Sequence, residues 1–189
     1  MKTIDAELVR KLLSYDPLTG MFTWLARSPD MFEGNRSRDE SCLAWNARNA
    51  GRQAGTRGGD GYVIIRILRK NFKAHRLAFL IMTGKFPSAQ IDHINLHKSD
   101  NRWDNIRSCN NSENMQNRPI YKSNTSGYTG VHKRMRDGKW KVKIAANNKD
   151  IYIGAFENKE CAYAAYVSAK ARYHPFSPSV QQSPPSAER

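Results

Sequence analysis

Residues 91–117 read IDHINLHKSDNRWDNIRSCNNSENMQN, and this stretch decides how the chain is expected to fold and act. AQIDHI and NIRSC predict two short strands. NLHKSDNRWDN predicts the loop between them, and NSENMQN predicts the start of a helix. A helix laid across such a hairpin would bring Asn114 back towards Asp92 and His93.

The residue types in this stretch suit hydrolysis of a phosphodiester bond. One divalent cation can stabilise charge on the phosphate and leaving oxygen while one base takes a proton from water. Asp92 and the amide oxygen of Asn114 are oxygen ligands of the kind that Mg²⁺ or Mn²⁺ prefers. His93 has an ordinary pKa of about 6.5, which fits a base at neutral pH. Asn105 is expected either to bond the loop backbone or to hold His93 in place.

A plainer interpretation of the same residues stays open. Loops rich in Asn and Asp are commonly turns without chemistry, since both residues cap and tolerate unusual dihedral angles. Adjacent residues of a strand point to opposite faces. Asp92 and His93 can therefore face one metal only where the strand ends or distorts, and the loop that begins at Asn95 makes this plausible.

The charge of the chain is strongly positive and unevenly distributed. Its 189 residues carry a net charge of +14, with a pI near 9.9 and a mean hydropathy of −0.72. Residues 1–85 hold 15 Lys and Arg against 8 acids, residues 118–174 hold 12 against 4, and residues 86–117 hold 3 against 4. Such surfaces bind polyanions, because each cation that meets a phosphate releases counterions. This layout predicts a near-neutral chemical site between two surfaces that bind nucleic acid.

The segment before this stretch predicts a basic α+β region. DAELVRKLLSY has the apolar spacing of a short amphipathic helix, and DPLTGMFTWL predicts a turn that leads into a strand. Residues 27–50 are polar and are expected to form a loop. Residues 62–68 predict a hairpin strand with its turn at RKN, and an apolar helix is predicted from His75 to Gly84. His75 and Arg76, at the start of that helix, are assigned to DNA phosphate contacts, and local packing of His75 stays open as the alternative.

The C-terminal segment predicts a sheet followed by a helix. GVHKRM, KWKVKIAA and IYIGAF predict three strands, and residues 158–174 predict a helix with an Ala-rich face. Alternation places Trp140, Val142 and Ile144 on one face, so the other face presents basic and aromatic side chains to a DNA groove. The residues assigned to DNA contact there are His132, Arg134, Lys139, Lys141, Lys143 and Tyr152.

The stretch that opens this section resembles the HNH nuclease family, whose site is a ββα-metal fold. Its pattern DH…N…N matches a family variant with Asn in place of the final His. AHRLAFLIMTGKFP resembles the segment that precedes the site in phage-type HNH homing endonucleases, so the likeness covers roughly residues 5–117.

The resemblance implies a role for each residue of the pattern. Asp92 and Asn114 would bind a single Mg²⁺ or Mn²⁺ ion, and the missing final His disfavours zinc. His93 would activate water, Asn105 would orient or support the site, and the cut would leave a 5′-phosphate and a 3′-hydroxyl. Two further arginines are assigned to phosphate contacts, Arg102 and Arg107.

The C-terminal segment is similar to the AP2/ERF DNA-binding domain. The matching features are GYTGV, GKW, IGAF and the helix ECAYAAY. The likeness implies that the outward sheet face reads DNA and that Trp140 belongs to the core. Thr129 and Tyr152 stand where that family usually carries Arg or Trp, so the sequence preference is expected to differ.

The cysteines and the apolar runs indicate a compartment. Cys42, Cys109 and Cys161 are widely spaced, which predicts reduced intracellular thiols rather than a zinc knuckle. No run approaches the roughly 18–20 apolar residues of a membrane span. By resemblance, we expect a phage-encoded protein in the cytoplasm of a bacterial host cell.

Together these inferences predict an α+β protein with a ββα-metal (HNH) nuclease core. The expected domains are a mixed α/β DNA-contacting extension (1–85), the catalytic core (86–120), an AP2-like DNA-binding domain (121–175) and a disordered tail (176–189). The expected activity is metal-dependent nicking of double-stranded DNA by a monomer. Two alternatives stay open: a non-enzymatic DNA-binding regulator with a decayed nuclease site, and an RNA-binding translation factor.

Overall fold

The chain divides into two compact units, Met1–Cys109 and Asn110–Arg189. The computed structural model describes residues 4–34, 37–118, 124–146 and 149–177. Helices and small antiparallel sheets occur in both units, so the α+β class predicted from the sequence is confirmed. The finer division at residues 85, 120 and 175 stays a prediction. Among the described residues, no helix combines the length and the apolar character needed to cross a membrane.

The first unit builds three small antiparallel sheets and three helices from its described residues. The sheets pair β1 with β2, β3 with β4 and β4 with β5, and β6 with β7. The elements are α1 (Ala6–Leu12), β1 (Leu13–Tyr15), β2 (Phe22–Trp24), α2 (Arg38–Asn49), β3 (Thr56–Arg57), β4 (Val63–Ile67), β5 (Lys70–Lys73), α3 (Ala74–Thr83), β6 (Gln90–His93) and β7 (Ile106–Cys109).

The core of the first unit forms where α1 and α3 pack with the sheets. Val9 and Leu12 of α1 and Leu77 of α3 are buried together with Ile65 of β4. The helical spacing of these apolar residues is what the sequence predicted. Helix α3 ends at Gly84, which adopts a positive φ of 79° as the C-cap. The predicted end of this helix is therefore confirmed.

The predicted loop over residues 27–50 is wrong, because twelve of its residues form α2. The Ser37 side chain accepts a hydrogen bond from the backbone of Glu40 and caps the helix. The sequence SRDE therefore carries the Ser-x-x-Glu signature of a helix start, although few apolar residues follow it. Cys42 is the buried residue of this helix, so its apolar stripe is too narrow to stand out in the sequence.

The hairpin between β4 and β5 turns earlier than the sequence predicted. The predicted turn RKN covers residues 69–71, but Lys70 and Asn71 already belong to β5. The central turn residues are Leu68 and Arg69, both with positive φ values (46° and 63°). Two-residue hairpin turns with positive φ values usually carry Asn-Gly. Leu68 and Arg69 lack this signature, so the sequence does not indicate where the turn lies.

The second unit contains the short helix α4 and a three-stranded sheet followed by a helix. Its sheet has the antiparallel order β10-β9-β8, and α5 packs on one face. The elements are α4 (Asn111–Gln116), β8 (Val131–Lys133), β9 (Trp140–Ala146), β10 (Lys149–Phe156) and α5 (Lys159–Tyr173).

The predicted alternation along β9 is confirmed. Val142 and Ile144 are buried against Ala162 and Tyr166 of α5, and Trp140 packs partly buried against the same cluster. Asn158 caps α5 through bonds to two backbone amides, as a helix start in this segment requires. Residues 119–123, residues 147–148 and most of the predicted tail (178–189) lie outside the described residues.

Candidate active site

The candidate site begins on the β6–β7 hairpin, which the sequence predicted. Its register pairs Asp92 with Arg107 and His93 with Ile106. This regular pairing sends the side chains of Asp92 and His93 to opposite faces of the hairpin. Strand β6 ends at His93, so the end of the strand that the sequence analysis required lies at this residue.

Asp92 is held by the arginine directly opposite it. The Nη2 and Nε atoms of Arg107 donate to Oδ2 of Asp92 at 2.8 and 3.1 Å. Asp92 is 6% exposed, and the Arg107 side chain is 23% exposed. A DNA phosphate contact was predicted for Arg107, whereas in this structure Arg107 pairs with a buried carboxylate. The ion pair with Arg107 offsets the free-energy cost of burying the charged side chain of Asp92.

His93 faces two aromatic rings from other elements of the first unit. The centroid of its ring lies 5.0 Å from that of His75, at an interplanar angle of 88°, and 5.8 Å from that of Tyr62. Tyr62 and His75 are 5.1 Å apart, so the three rings form one group, here called the His93 cluster. His75 is 5% exposed, and its Nδ1 has no hydrogen-bond partner among the residues that the structure describes. His75 therefore faces His93 and offers little surface to a phosphate.

Burial keeps both histidines uncharged at neutral pH. It lowers the pKa of His93, although the hydrogen bond with the Asn101 side chain and the charge of Asp92 act in the opposite direction. Burial also lowers the pKa of His75 to about 3, and the nearby His93 adds to this effect. A neutral imidazole is the form that accepts a proton or binds a metal.

Two lysines flank the third ring of the cluster. Nζ of Lys73 lies 3.8 Å from the centroid of Tyr62, and Nζ of Lys98 lies 5.0 Å from it. Lys73 also pairs with Asp60 at 3.5 Å, with both side chains substantially exposed. The sequence analysis missed Tyr62, Lys73 and Lys98, because nothing in the local pattern links them to His93.

Asn105 joins the two ends of the loop that follows His93. Its Oδ1 accepts from the backbone N–H of Asn95 at 3.0 Å, and its Nδ2 donates to the carbonyl of Asp100 at 2.8 Å. Its own carbonyl accepts from Ile94 at 2.8 Å, which continues the hairpin pairing. Of the two roles considered for Asn105, these bonds match the first, bonding of the loop backbone.

The strand β1 and the turn that follows it bind the loop that follows His93. The hydroxyl of Tyr15 donates to the carbonyl of Asn101 at 2.7 Å, and the backbone of Trp103 donates to Pro17 at 2.9 Å. A Cβ at Gly20 would overlap the backbone of Asn101 and Arg102, so this close approach requires glycine. Because the Asn101 side chain acts to raise the pKa of His93, the turn fixes a residue that influences the candidate base.

Asp92 is the donor of the first unit whose chemistry fits a hard divalent cation. It offers carboxylate oxygen, whereas buried His93 and His75 offer neutral imidazoles, which suit softer metals. Within the described ranges, no group of three His, Cys, Asp or Glu side chains surrounds a metal position. Further ligands would therefore be amides, water or the substrate phosphate.

Asn114 lies in α4, which the clustering places in the second unit. Asn110 and Glu113 form a reciprocal capping box at the start of this helix, as the N-terminal signature NNSE suggests. The predicted strand, loop, strand and helix order is thus present in the chain. The role of Asn114 as a metal ligand stays a prediction.

Residues 72–116 match the family model of the HNH endonucleases. The match runs from Phe72 in β5 to Gln116 in α4, about a quarter of the chain, and includes His75, His93 and Asn105. It supports an HNH nuclease, a hydrolase that acts on DNA. No solved structure matches the chain. We call residues 72–116 the HNH segment.

Two other arginines of the HNH segment were assigned to DNA and have partners inside the protein. Nη2 of Arg76 donates to the carbonyl of Pro87 at 3.1 Å. Arg102 forms an exposed ion pair with Asp100 at 2.8 Å, and this pair lowers the pKa of Asp100 to about 2. An exposed pair adds little stability, so Arg102 can exchange its carboxylate for a phosphate at small cost.

C-terminal to the HNH segment, the exposed face of the β8–β10 sheet gathers most of the remaining residues assigned to DNA. The register sets His132 opposite Lys141, and Lys143 opposite Tyr152. Tyr152 is 54% exposed, with Nζ of Lys141 5.7 Å from its ring centroid. The ion pairs on this sheet and at its edges join Arg134 to Asp137, Lys139 to Glu157 and Lys143 to Asp150.

Proposed function

We propose that this protein is a metal-dependent DNA endonuclease of the HNH homing type that nicks one strand of duplex DNA. The observation that carries the proposal is the His93 cluster, in which a buried neutral histidine ends a strand beside Asp92, inside the HNH segment. Hydrolysis would leave a 5′-phosphate and a 3′-hydroxyl. One catalytic centre per chain supports nicking by a monomer.

The proposed roles follow from the chemistry of the donors. Asp92 and Asn114 would hold one Mg²⁺ or Mn²⁺ ion, and such an ion stabilises negative charge on the scissile phosphate and the leaving oxygen. His93 would take a proton from the attacking water through an imidazole that burial keeps neutral. His75 would position His93 by edge contact, and Asn105 would keep the loop closed around it.

Two surfaces would hold the DNA. Lys73 and Lys98 beside Tyr62 lie close to His93 and can neutralise phosphates near the scissile bond. In the second unit, the exposed sheet face with His132, Lys141 and Tyr152 would act as an AP2-like binding surface. We retain a phage origin and a cytoplasmic location as predictions from the resemblance.

Removal of the metal is the direct test of the proposed hydrolysis. We expect supercoiled phage or plasmid DNA to become open circular with Mg²⁺ or Mn²⁺ and to stay supercoiled with EDTA, because the proposed hydrolysis needs a divalent ion to stabilise charge on the phosphate and the leaving oxygen. Agarose gels resolve the two forms. Asp92→Asn, which keeps the size of the side chain and removes its charge, should cut at least about 100-fold more slowly.

The outcome of this assay also separates the enzyme from the DNA-binding regulator. A regulator would bind the same DNA with comparable affinity and leave it uncut under every metal. Stronger binding to structured RNA than to duplex DNA would instead favour a translation factor. Cutting at the same rate in EDTA would contradict the metal dependence.

The pH dependence of cutting should report the lowered pKa of His93. The neutral imidazole is the active base, and burial lowers its pKa below the ordinary value of about 6.5. Activity should therefore persist below pH 6.5 and fall only at lower pH. Single-turnover rates between pH 4.5 and 8 measure this midpoint. The Asn101 bond raises the pKa of His93, so Asn101→Ala should move the midpoint further down, and a midpoint above 6.5 would contradict the assignment.

A further inference from the structure

A cleft in the first unit shares no lining residue with the His93 cluster and has no part in the proposed hydrolysis. It encloses about 820 Å³. Pockets of this size commonly hold small organic ligands. Its walls carry Trp24 and Trp45 together with three arginines, Arg27, Arg66 and Arg69.

The three arginines of this cleft carry charge that the described residues do not neutralise. None of them makes an ion pair with a described residue, and Glu33 is the one acid among the lining residues. Burial lowers the pKa of Arg27, and its Nε is enclosed without a hydrogen-bond acceptor. An enclosed cationic donor without a partner is a site for an anion, because leaving it unbonded is costly.

The tryptophans add flat aromatic surface beside this charge. The guanidinium carbon of Arg27 lies 3.7 Å from the ring centroid of Trp45 and 5.5 Å from that of Trp24. The two indole rings meet edge to face, 5.6 Å apart. Indole faces and guanidinium groups are the surfaces on which unpaired nucleobases stack in nucleic-acid-binding proteins. A ligand with both an aromatic ring and a phosphate would satisfy the cleft.

The β4–β5 turn brings one of the arginines to the cleft at a conformational cost. Leu68 and Arg69 both line the cleft and both hold positive φ values, a region that side chains other than Gly and Asn rarely adopt. Strained turns of this kind concentrate at ligand-binding positions. Glycine at either position would relieve the strain, which supplies matched variants for a test.

We propose that this cleft binds one unstacked nucleotide of a DNA strand, with the base against Trp45 and Arg27 and the phosphate against Arg66 and Arg69. The shared chemistry, a base with a phosphate, is also that of a free mononucleotide, and the experiment separates the two. The cleft uses none of the residues proposed for hydrolysis. Its binding can therefore fail while DNA cutting succeeds, or the reverse.

The test compares a duplex that carries one unpaired 2-aminopurine nucleotide with the same duplex fully paired. Binding to the full-length chain is measured in EDTA by anisotropy, and stacking by quenching of 2-aminopurine fluorescence. We expect the unpaired duplex to bind about tenfold more tightly and to be quenched, because stacking of one base contributes at this scale. Arg69→Gly should remove most of this preference, since it deletes the guanidinium while Gly accepts the backbone conformation. Arg27→Met should do the same.

Two controls and a free ligand decide the outcome. Leu68→Gly makes the same backbone change beside Arg69 without loss of charge, and Lys85→Ala removes a cation outside the cleft; both should keep the preference. Thermal unfolding verifies that each variant is folded. Equal affinity of the wild-type chain for the two duplexes would overturn the proposal. So would an equal loss of the preference for the unpaired duplex in Leu68→Gly and Arg69→Gly. Tight binding of free 2-aminopurine mononucleotide with the same Arg69 dependence would overturn the assignment to a DNA strand.

Discussion

His93→Ala should lower the rate of DNA cutting by about 10² to 10⁴-fold, the range that general-base catalysis contributes. His93 is 4% exposed and faces His75 and Tyr62, so the substitution removes the base from an enclosed position where no other group is proposed to take the proton. DNA affinity should change little, because the proposed phosphate contacts come from other residues. Single-turnover cutting and equilibrium binding of the same variant separate the two effects.

A second histidine of the same loop provides the control. His97 is exposed and donates its backbone N–H to the side chain of Asn95, so its ring is not needed to hold the loop. His97→Ala should cut at the wild-type rate. If His93→Ala also cuts at the wild-type rate while remaining folded, His93 is not the base. That result would favour a non-enzymatic DNA-binding regulator only if the wild-type chain also fails to cut DNA with Mg²⁺ or Mn²⁺.

Gly130→Ala should destabilise the second unit by about 3–4 kcal/mol, because the added methyl group combines a strained backbone conformation with a steric clash. Gly130 has a φ of 73°, and a Cβ there would overlap the ring of Tyr166 and lie 2.7 Å from the carbonyl of Lys143. Tyr166 is 5% exposed in the core between sheet and helix, so it has little room to move. The free energy of unfolding is measured with urea, and hydrogen exchange in β8 and β9 localises the loss.

Gly138 separates the steric effect from the backbone effect. It has nearly the same φ, 70°, but a Cβ there would meet no atom within 4 Å. Gly138→Ala should therefore cost about 1 kcal/mol, the conformational part alone. Equal losses in the two variants would show that contact with Tyr166 does not limit the packing of α5 on the sheet. Loss of DNA affinity in Gly130→Ala alone would support binding by the sheet face.

The local spacing of apolar residues was sufficient to predict most of the helices and strands. The alternation along β9 and the apolar spacing of α3 each depend on residues close together in the chain, and both are confirmed. The predicted loop over residues 27–50 failed because α2 is specified by its Ser37 cap and has few apolar residues. The β4–β5 turn was misplaced because Leu68 and Arg69 adopt a conformation that their residue types do not favour.

In the candidate site, too, the features set by neighbouring residues were predictable from the sequence, and the contacts between residues far apart in the chain were not. The local sequence was enough to predict that Asp92 and His93 lie at the end of a strand, that Asn105 follows in the loop, and that a helix carries Asn114. These features are local, because strand ends, turns and caps are set by neighbouring residues.

Only the tertiary structure decided that His75 and Tyr62 meet His93, that Arg107 neutralises Asp92, and that Arg27, Arg66 and Arg69 share one cleft. The physical reason is that these contacts join residues far apart in the chain, or on paired strands. Their proximity depends on how sheets and helices pack and on strand register, which no local spacing encodes. The burial that lowers the pKa of both histidines arises from the same packing.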